Sequence, residues 1–402
     1  MLIKRWITLA VFGIFMISMG FVIVIAERNP HNKAMAGMVI MLGIGSVIFA
    51  VKRILRSLMI AVSPDGEMGK GDLVEKIYEK RILERGPKVV VIGGGTGLST
   101  LLTGLKHRTS NITAIVTVAD DGGSSGRIRE EFGVLPPGDI RNCLVALADS
   151  EDILGPLFQF RFTEGKGLDG HNFGNLFITA LARVTGDFAK AIKESSKVLA
   201  IRGKVYPATL EKVKLVARRE DGTSVEGECR IRDEKDSPIE RLSLKPKDCK
   251  ATDESVAAIK EADVIILGPG SLYTSVMPNL LIDGIQNAVV RSKATKIYIC
   301  NVMTESGETD DYSVSDHIKT IIKHTRPGVV NCCIANVSRI PEGLYEKYKI
   351  QGQYPVKLDH MDEKWMEDEN IQLVKAHISG AEEFVRHDPE KLTDVIMDVI
   401  EK

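Results

Sequence analysis

One segment, residues 89–105, most constrains what this chain can fold into. It begins with four apolar β-forming residues, 89–92, and continues into a turn, 93–97, in which four of the five residues are glycine. The next apolar residues are spaced as on one face of a helix, and these are Leu98, Leu101, Leu102 and Leu105. The pattern predicts a strand, a glycine turn and a helix. A phosphate is the expected ligand of such a turn, because glycines let the N–H groups of a helix N-terminus approach an anion.

The glycine spacing differs from the dinucleotide-binding fingerprint, G-x-G-x-x-G. The third glycine position falls on Leu98 when the count starts at Gly93, and on Thr100 when it starts at Gly95. The spacing therefore disfavours a nicotinamide oxidoreductase, although NAD bound without hydride transfer remains an alternative. A tight turn that binds no ligand is a further alternative.

A second polar turn follows the next predicted strand, residues 112–119. It contains two carboxylates, Asp120 and Asp121, and two hydroxyls, one of them on Ser124. Ligands of open α/β sheets bind at the carboxyl ends of the strands, where this turn would lie. The carboxylates are candidates to hold Mg²⁺, to accept a ribose hydroxyl or to act as a general base. An ordinary solvated Asp/Gly turn is the alternative.

A third motif, Pro-Pro-Gly-Asp, predicts another helix. Asp139 is its predicted N-cap, because apolar residues recur at helical spacing after it. Arg141 and Asn142 then fall in the first turn, where an arginine opposes the helix dipole unless it meets an anion. With Arg127 and Arg129 they predict a basic lining for phosphates. For the latter two arginines, solvated surface positions are the alternative.

Together these motifs resemble the gluconeogenesis factor (YvcK-like) family, a branch of the CofD-like superfamily of 2-phospho-L-lactate transferases. The resemblance extends over roughly residues 86–402 and leaves out the N-terminal segment. It is carried by GGGTG at 93–97, ADDGGSSGRIREEFGVLPPGDIRNCLVALA at 119–148, HNFGNLF at 171–177, GPGSLYTSVMPNLL at 268–281 and CNVMTESGET at 300–309. So long a match is far more specific than a single glycine motif.

The resemblance implies a protein that binds a nucleotide-containing small molecule, with a UDP-sugar such as UDP-N-acetylglucosamine as the expected ligand. It implies a regulator of cell shape and cell-wall synthesis during growth on gluconeogenic carbon, with cell-wall regulatory proteins as candidate partners. This interpretation requires no cofactor. The alternative is a Mg²⁺-dependent, CofD-like transferase that moves a phosphate-linked group from a nucleotide donor. Its catalytic candidates are Asp120, Asp121 and His171.

Further candidates lie at predicted strand ends and helix starts. His171 and Asn172 lie on a predicted loop, where they either bind a base or sugar or form part of an ordinary turn. Asn175 is the predicted N-cap of the next helix. Arg386 and His387 precede a helix that an Asp-Pro pair is predicted to cap, where they can meet a phosphate. The proline of that pair stands where some members of the resembled family carry threonine, which excludes phosphorylation there.

A second glycine turn follows the predicted strand 263–267, and Asn301 and Asn336 end two further predicted strands. We expect Gly94, Gly95, Thr96 and Gly97 to hold a pyrophosphate. Asp120 or Asp121 is expected to bind the ribose or a cation, and Arg386 is expected to bind the distal phosphate. The complete set of predicted ligand-binding residues is Gly94, Gly95, Thr96, Gly97, Asp120, Asp121, Ser124, Asp139, Arg141, Asn142, His171, Asn172, Asn175, Gly268, Gly270, Ser271, Asn301, Arg386 and His387.

The first sixty residues differ in kind from the rest. Two uncharged runs, 7–26 and 34–51, are each long enough to cross a bilayer, and the loop between them is ERNPHNK at 27–33. Basic residues are more numerous outside the two runs than in that loop, which predicts a two-span membrane hairpin with both termini in the cytoplasm. A cleaved signal peptide is the alternative for the first run. We expect a hairpin at 1–60, a stalk at 61–85 and a cytoplasmic ligand-binding domain at 86–402.

The rest of the chain alternates predicted strands and helices, which is typical of a Rossmann-like α/β fold with a parallel sheet covered by helices on both faces. Residues 203–247 interrupt this pattern with a small antiparallel excursion whose turn lies at Asp221 and Gly222. The net charge of −1 argues against nucleic acid as a partner, and we expect a homo-oligomer. The six cysteines contain no C-x-x-C pair, which indicates buried thiols in a reducing compartment.

Overall fold

In the computed structural model the described residues are 2–26, 29–62, 81–149, 153–381 and 384–401. They form two compact units, Met1–Arg81 and Ile82–Lys402. Most of the predicted stalk, residues 61–85, lies outside the described residues.

The first unit is an antiparallel pair of helices, α1 (Leu2–Ala26) and α2 (Pro30–Val62). The two helices approach each other closely at two glycines, since a Cβ atom on Gly13 would lie 2.8 Å from the carbonyl oxygen of Gly43. The side chains that face outward are largely apolar, as at Leu42, which is 65% exposed. By length and composition, both helices can cross a membrane.

The turn between these helices is shorter than the predicted loop, residues 27–33. α2 begins at Pro30, because proline suits the first position of a helix, where its missing N–H is not needed. Residues 27–28 lie outside the described residues.

The second unit is built on a seven-stranded parallel sheet. Its strands are β1 (Val89–Gly93), β2 (Ile112–Val116), β3 (Lys204–Pro207), β7 (Val264–Leu267), β8 (Thr295–Ile299), β9 (Cys332–Asn336) and β10 (Gln372–Ala376). They lie in the order β10-β9-β8-β7-β1-β2-β3, and all neighbouring pairs are parallel. From β1 the chain adds β2 and β3 on one side of the sheet, and it then returns to add β7, β8, β9 and β10 on the other side of β1. The strand order therefore reverses between β1 and β7.

Between β3 and β7 the chain forms the small antiparallel sheet. Its strands are β4 (Lys214–Arg219), β5 (Ser224–Glu226) and β6 (Ile239–Lys245), in the order β5-β4-β6. The predicted hairpin is confirmed, and β6 adds a third strand. A two-stranded antiparallel ribbon, β11 (Ser379–Ala381) with β12 (Val385–His387), lies near the C-terminus.

Helices cover both faces of the parallel sheet, as predicted. They are α3 (Gly95–Leu105), α4 (Gly123–Phe132), α5 (Gly138–Leu147), α6 (Leu154–Gln159), α7 (Phe173–Thr185), α8 (Phe188–Val198), α9 (Glu228–Asp233), α10 (Asp253–Glu261), α11 (Met277–Leu280), α12 (Asp283–Arg291), α13 (Val314–His324), α14 (Glu342–Ile350), α15 (His360–Asp368) and α16 (Pro389–Ile400). A π-helix, Leu272–Val276, precedes α11 directly.

Alternate residues of each strand enter two separate cores, because successive side chains of a strand point to opposite faces. On one face Val89 and Val91 pack with the apolar residues of α3, α5, α7 and α16. On the other face Val90 and Ile92 pack with α10, α12, α13 and the inner face of the antiparallel sheet. Burial on both faces explains why the strands of the parallel sheet are almost continuously apolar.

Two predicted features near β2 are wrong. β2 ends at Val116, not at residue 119, because the backbone turns where the hydroxyl of Thr117 accepts the N–H of Ala119, 3.2 Å away. Asp139 is not the N-cap of α5, since Pro137 holds that position and Asp139 lies in the first turn. Its carboxylate instead accepts a backbone N–H of α3, that of Gly95.

One further cap is wrong and one is confirmed. Asn172, not Asn175, caps α7, and its side-chain oxygen accepts the N–H of Asn175 at 3.2 Å. The local pattern did not separate two asparagines one helical turn apart. Asp388 caps α16 as predicted, and it accepts the N–H groups of Glu390 and Lys391.

We expect Leu101→Ala to lower the free energy of unfolding by about 2–5 kcal/mol, because it leaves a cavity between α3 and the sheet. Leu101 is fully buried. Urea denaturation of the detergent-solubilised chain, followed by fluorescence, measures the change. The matched control is Val184→Ala on α7, where the side chain is 84% exposed and we expect a change below about 0.5 kcal/mol. Equal effects of the two substitutions would contradict this packing.

Candidate functional site

A cleft lies where the strand order reverses. It has a volume of about 580 Å³ and opens at the carboxyl ends of β1 and β7. Open α/β sheets bind their ligands at such a reversal, because the loops that follow the two strands diverge there and leave a crevice. The fold therefore places the first predicted glycine turn at the expected edge of the sheet.

Two glycine turns form the floor of this cleft, and their backbones touch. A Cβ atom on Gly97 would lie 2.7 Å from the carbonyl oxygen of Pro269, and one on Gly270 would lie 3.3 Å from that of Gly94. Gly270 also has a φ of 150°, which side chains disfavour. Side chains in these turns would therefore separate β1 from β7.

The N-terminus of α3 faces the cleft, and its N-cap residue, Gly94, has no side chain to cap it. Asp139 accepts the N–H of Gly95, while Thr96 and Gly97 of the first turn line the cleft. The remaining N–H groups of the first turn need partners, and together with the helix dipole they favour an anion. This end of α3 is the strongest phosphate-binding feature of the site.

A cluster of polar side chains follows the second glycine turn. The hydroxyl of Ser271 lies within hydrogen-bond distance of both Glu305 and, at 2.7 Å, Glu308, and its single proton can be donated to one of them. The amide of Asn301 donates to Glu305 at 3.1 Å. Burial and the charge of Glu305 raise the pKa of Glu308 to about 8. Burial also raises the pKa of Glu305. The two carboxyl groups therefore hold a proton near neutral pH.

Three cations reach the cleft from two distant parts of the chain. Arg232 and Lys235 come from α9 and the segment that follows it, and Arg386 comes from β12. The stem of Lys235 packs on Gly307, which brings the antiparallel excursion over the carboxylate cluster. Arg386 stacks on Phe384, with its guanidinium carbon 5.0 Å from the ring centre. Lys235 and Arg386 form no ion pair with the described residues, so their charges remain available to an anion.

Behind the first glycine turn lies a second group of carboxylates. Burial raises the pKa of Asp139 to about 7, and the charge of Asp120 contributes further. Burial also raises the pKa of Asp120 itself, although it accepts hydrogen bonds from Gly122 and Ser125. The pKa of Glu228, which lines the cleft, is raised by burial and by both aspartates.

Asp121 has a positioning role. Its two carboxylate oxygens accept the N–H groups of Glu228 at 3.0 Å and Cys229 at 2.9 Å, at the start of α9. Asp121 thereby fixes the helix that carries Glu228 and Arg232 into the cleft.

Among the described residues, no group of three Asp, Glu, His or Cys side chains is placed to hold a metal ion. The carboxylates of Asp120 and Asp121 have different hydrogen-bond partners, and their role in binding Mg²⁺ stays a prediction.

A buried polar network joins the N-termini of α4, α5 and α7. The hydroxyl of Ser124 contacts the ring of His171 and accepts the amide of Asn175, each at 3.2 Å. Arg141 donates to Asn175 at 3.0 Å and to Asn142 at 2.7 Å. Burial lowers the pKa of Arg141 to about 10, and that of His171 below its usual value. This network holds the helices in place and lies outside the lining of the cleft.

The structure thus divides the predicted ligand-binding residues into two sets. Those that line the cleft are Gly94, Gly95, Thr96, Gly97, Gly270, Ser271, Asn301, Arg386 and His387. Those that lie outside its lining are Asp120, Asp121, Ser124, Asp139, Arg141, Asn142, His171, Asn172, Asn175 and Gly268. Lining residues that sequence reasoning missed include Glu228, Arg232, Lys235, Glu305, Glu308 and Gln353.

Some predicted side chains serve the fold. Arg127 donates to the carbonyl oxygen of Asp169, and Arg129 to carbonyl oxygens that include that of Ala119, so neither forms the predicted basic lining. The amide oxygen of Asn336 accepts the backbone N–H groups of Ser338, two residues on, and of Ile378, which follows β10. Burial lowers the pKa of His387 to about 4, so this ring is a neutral group at the cleft.

We expect Asp139→Asn to flatten the pH dependence of stability. The folded-state pKa of Asp139, about 7, lies above its usual unfolded value of about 3.9. The folded state therefore binds this proton more tightly, and the free energy of unfolding falls as the pH rises from about 4 to 7. Asparagine removes up to about 4 kcal/mol of that fall. Urea denaturation between pH 4 and 8 measures it, with the exposed Asp169→Asn as control. Parallel profiles for the wild type and Asp139→Asn would refute this.

The chain is similar to characterised sequences over most of its length. Residues 89–379 match the family model described as 2-phospho-L-lactate transferase CofD. The gluconeogenesis factor of Bacillus subtilis is 45% identical, over 79% of this chain and 99% of its own length. The gluconeogenesis factor of Halalkalibacterium halodurans is 48% identical, over 77% of this chain and 95% of its own length. A relative from Clostridium acetobutylicum is 42% identical over 99% of this chain and 90% of its own length, so it aligns with the N-terminal helices as well.

A solved structure supports the same assignment. A crystal structure of a protein from Bacillus halodurans has a TM-score of 0.75 and 47% identity, and the match covers 78% of this chain and all of that one. A relative about as long as the second unit therefore folds by itself. The chain accordingly belongs to the CofD family, within its gluconeogenesis factor branch.

Proposed function

We propose that the cleft binds a nucleotide diphosphate ligand, with a UDP-sugar such as UDP-N-acetylglucosamine as the candidate, and that the protein is a ligand-sensing regulator. The observation that carries the proposal is the contact between the two glycine turns, at the N-terminus of α3. Two adjoining phosphates fit such a floor, because backbone N–H groups approach it from α3 while the turns add no side chains.

The charges around the floor support a diphosphate with an uncharged extension. Arg232, Lys235 and Arg386 provide positive charge on one side. On the other side the pair Glu305 and Glu308 disfavours a further phosphate, whereas carboxylates accept hydrogen bonds from sugar hydroxyls. The cleft should therefore prefer a nucleotide sugar to a nucleoside triphosphate. NAD also carries a pyrophosphate without a third phosphate, and it remains a competing ligand.

The relatives named gluconeogenesis factor support a role in growth on gluconeogenic carbon. A regulator in that role would respond to a nucleotide sugar that supplies the cell wall and would act on cell-wall regulatory proteins and cell shape. A self-associating chain would present several such sites together. Each of these steps follows from the proposed ligand.

A transferase is the second candidate function. The family model is described as a transferase, and Asp139, with a pKa of about 7, is suited to proton transfer beside the glycine turn. Such an enzyme would move a phosphate-linked group from a nucleotide donor with Mg²⁺. Turnover of the donor that is lost in Asp121→Asn would support the transferase in place of the regulator.

We expect isothermal titration calorimetry of the detergent-solubilised chain to show binding of UDP-N-acetylglucosamine, with weaker binding of UTP. Arg386→Gln should weaken the affinity at least about tenfold, because it removes a charge-assisted contact to phosphate. The control is Arg326→Gln at the other edge of the sheet, an exposed arginine for which we expect less than about a twofold change. A folded protein that binds no nucleotide diphosphate would refute the ligand proposal.

We also propose that α1 and α2 anchor the chain in the cell membrane, with both termini and the second unit in the cytoplasm. The support is the length and apolarity of both helices and the excess of basic residues outside the two spans. Neither helix contains an acidic residue within its predicted span. The anchor would confine the ligand-binding unit to the membrane surface.

The full chain should remain in the membrane fraction in 1 M NaCl and at alkaline pH, because its insertion is hydrophobic. A chain that starts at residue 82 should be released into the soluble fraction. In intact cells, Asn29→Cys should react with a membrane-impermeant maleimide, while the native Cys229 should not. An intact mass that shows loss of the first helix would instead establish a cleaved signal peptide.

A further inference from the structure

A second groove lies at the opposite edge of the parallel sheet from the cleft. It has a volume of about 470 Å³ and lies between α10 and α12, with the segment 292–294 at one end. Its rim carries three exposed cations, Lys260, Arg291 and Lys293. Its floor is apolar and includes Val256, Ala262, Ala288 and Ala294. The groove thus combines an apolar floor with a rim of one sign of charge.

The rim charges are not neutralised within the described chain. No carboxylate lines the groove, and Lys260, Arg291 and Lys293 have no hydrogen bond or ion pair with the described residues. Two acidic residues that adjoin the groove in sequence, Glu261 and Asp263, have a partner in Lys88. Glu261 contacts its ammonium group at 3.2 Å, and the carboxylate of Asp263 accepts its backbone N–H at 2.8 Å.

Helix capping explains only part of this charge. Lys260 and Arg291 lie in the last turns of α10 and α12, where a cation stabilises the helix dipole. Lys293 lies beyond the end of α12 and serves no such purpose. The dipole effect also gives no reason for the three cations to converge on one groove without a carboxylate. An anionic partner accounts for the whole arrangement.

The groove lies at the edge through which the chain enters the second unit. Lys88, next to Glu261 and Asp263, immediately precedes β1. The segment before it is fixed to the same edge, since the carbonyl oxygen of Leu83 accepts the N–H of Ser110 at 3.0 Å. The chain therefore enters the second unit at the edge that carries the groove.

We propose that the groove binds the headgroups of anionic lipids at the surface of the membrane that anchors the chain. Arg291 and Lys293 would contact the headgroup phosphate, while the apolar floor accommodates the glycerol region. The proposal rests on the membrane anchor proposed above and is independent of the ligand in the cleft. Because the cleft opens at the other edge of the sheet, lipid contact leaves it open to the cytoplasm.

The test uses residues 82–402, because a relative of this length folds without the N-terminal helices. Binding is measured by co-sedimentation with phosphatidylcholine vesicles that contain 30% phosphatidylglycerol or none. We expect binding to the anionic vesicles only, and weaker binding at 0.5 M than at 0.1 M NaCl. The groove variant carries Lys260→Gln, Arg291→Gln and Lys293→Gln. It should bind at least about tenfold more weakly, since each basic residue near an anionic surface favours binding severalfold.

A matched control variant removes three exposed lysines from other surfaces of the unit. It carries Lys166→Gln, Lys193→Gln and Lys347→Gln, none of which forms an ion pair with the described residues. We expect it to bind vesicles within about twofold of the unmodified unit. Equal losses in both variants, or no binding to anionic vesicles by the unmodified unit, would overturn the proposal.

Two further measurements separate this proposal from others. If inorganic phosphate stabilises the unmodified unit but not the groove variant, and vesicles do not bind, the groove is a site for a soluble anion and the lipid proposal is refuted. Calorimetry with UDP-N-acetylglucosamine should give the same affinity for the groove variant and the unmodified unit. A loss of nucleotide binding in the groove variant would contradict the independence of the two sites.

Discussion

The contact between the two glycine turns is the constraint on which the site and much of the core depend. β1 and β7 are neighbours, so the loops that follow them must share one narrow space, and a Cβ atom on Gly97 would lie 2.7 Å from the oxygen of Pro269. A side chain there would displace α3. Because Leu98 and Leu101 of α3 are fully buried against the sheet, such a displacement would open one of the two cores. Both the proposed ligand binding and the stability of the core therefore require a residue without a side chain at Gly97.

Electrostatics impose a second constraint, because carboxylates surround the proposed anion-binding site. The structure lowers the cost of their burial with hydrogen bonds, as when Asp139 accepts the N–H of Gly95, and with a proton held between Glu305 and Glu308. The carboxylate of Asp121 is stabilised by the two backbone N–H groups that it accepts at the start of α9. Thr96 and Gly97 of the first turn of α3 line the cleft, where their N–H groups can meet a phosphate in the proposed complex.

The sequence alone predicted the parts of this arrangement that local pattern determines. Residues 89–105 predicted β1, the turn and α3, because glycine content and leucine spacing are local signals. Arg232 and Lys235 could not be predicted, since they lie in a charged run typical of a solvated surface, and only the antiparallel sheet turns them toward the cleft. Local pattern predicts a cap at Asp139, because its actual partner, Gly95, belongs to a helix more than forty residues earlier and leaves no local signal.

The two edges of the parallel sheet are electrostatically separate, but one continuous segment of the chain runs from the cleft to the groove. Strands of about five residues span about 16 Å, which is twice the screening length at physiological salt, so lipid charge at one edge has little direct effect on a phosphate at the other. The packed segment that begins at Ser271 in the cleft runs through the π-helix, α11 and α12 to Arg291 in the groove. Its first helix, Leu272–Val276, is buried throughout and is a π-helix, a form that recurs at functional sites. Any coupling between ligand and membrane would therefore require this segment to shift as a body, since charge alone does not connect the two sites.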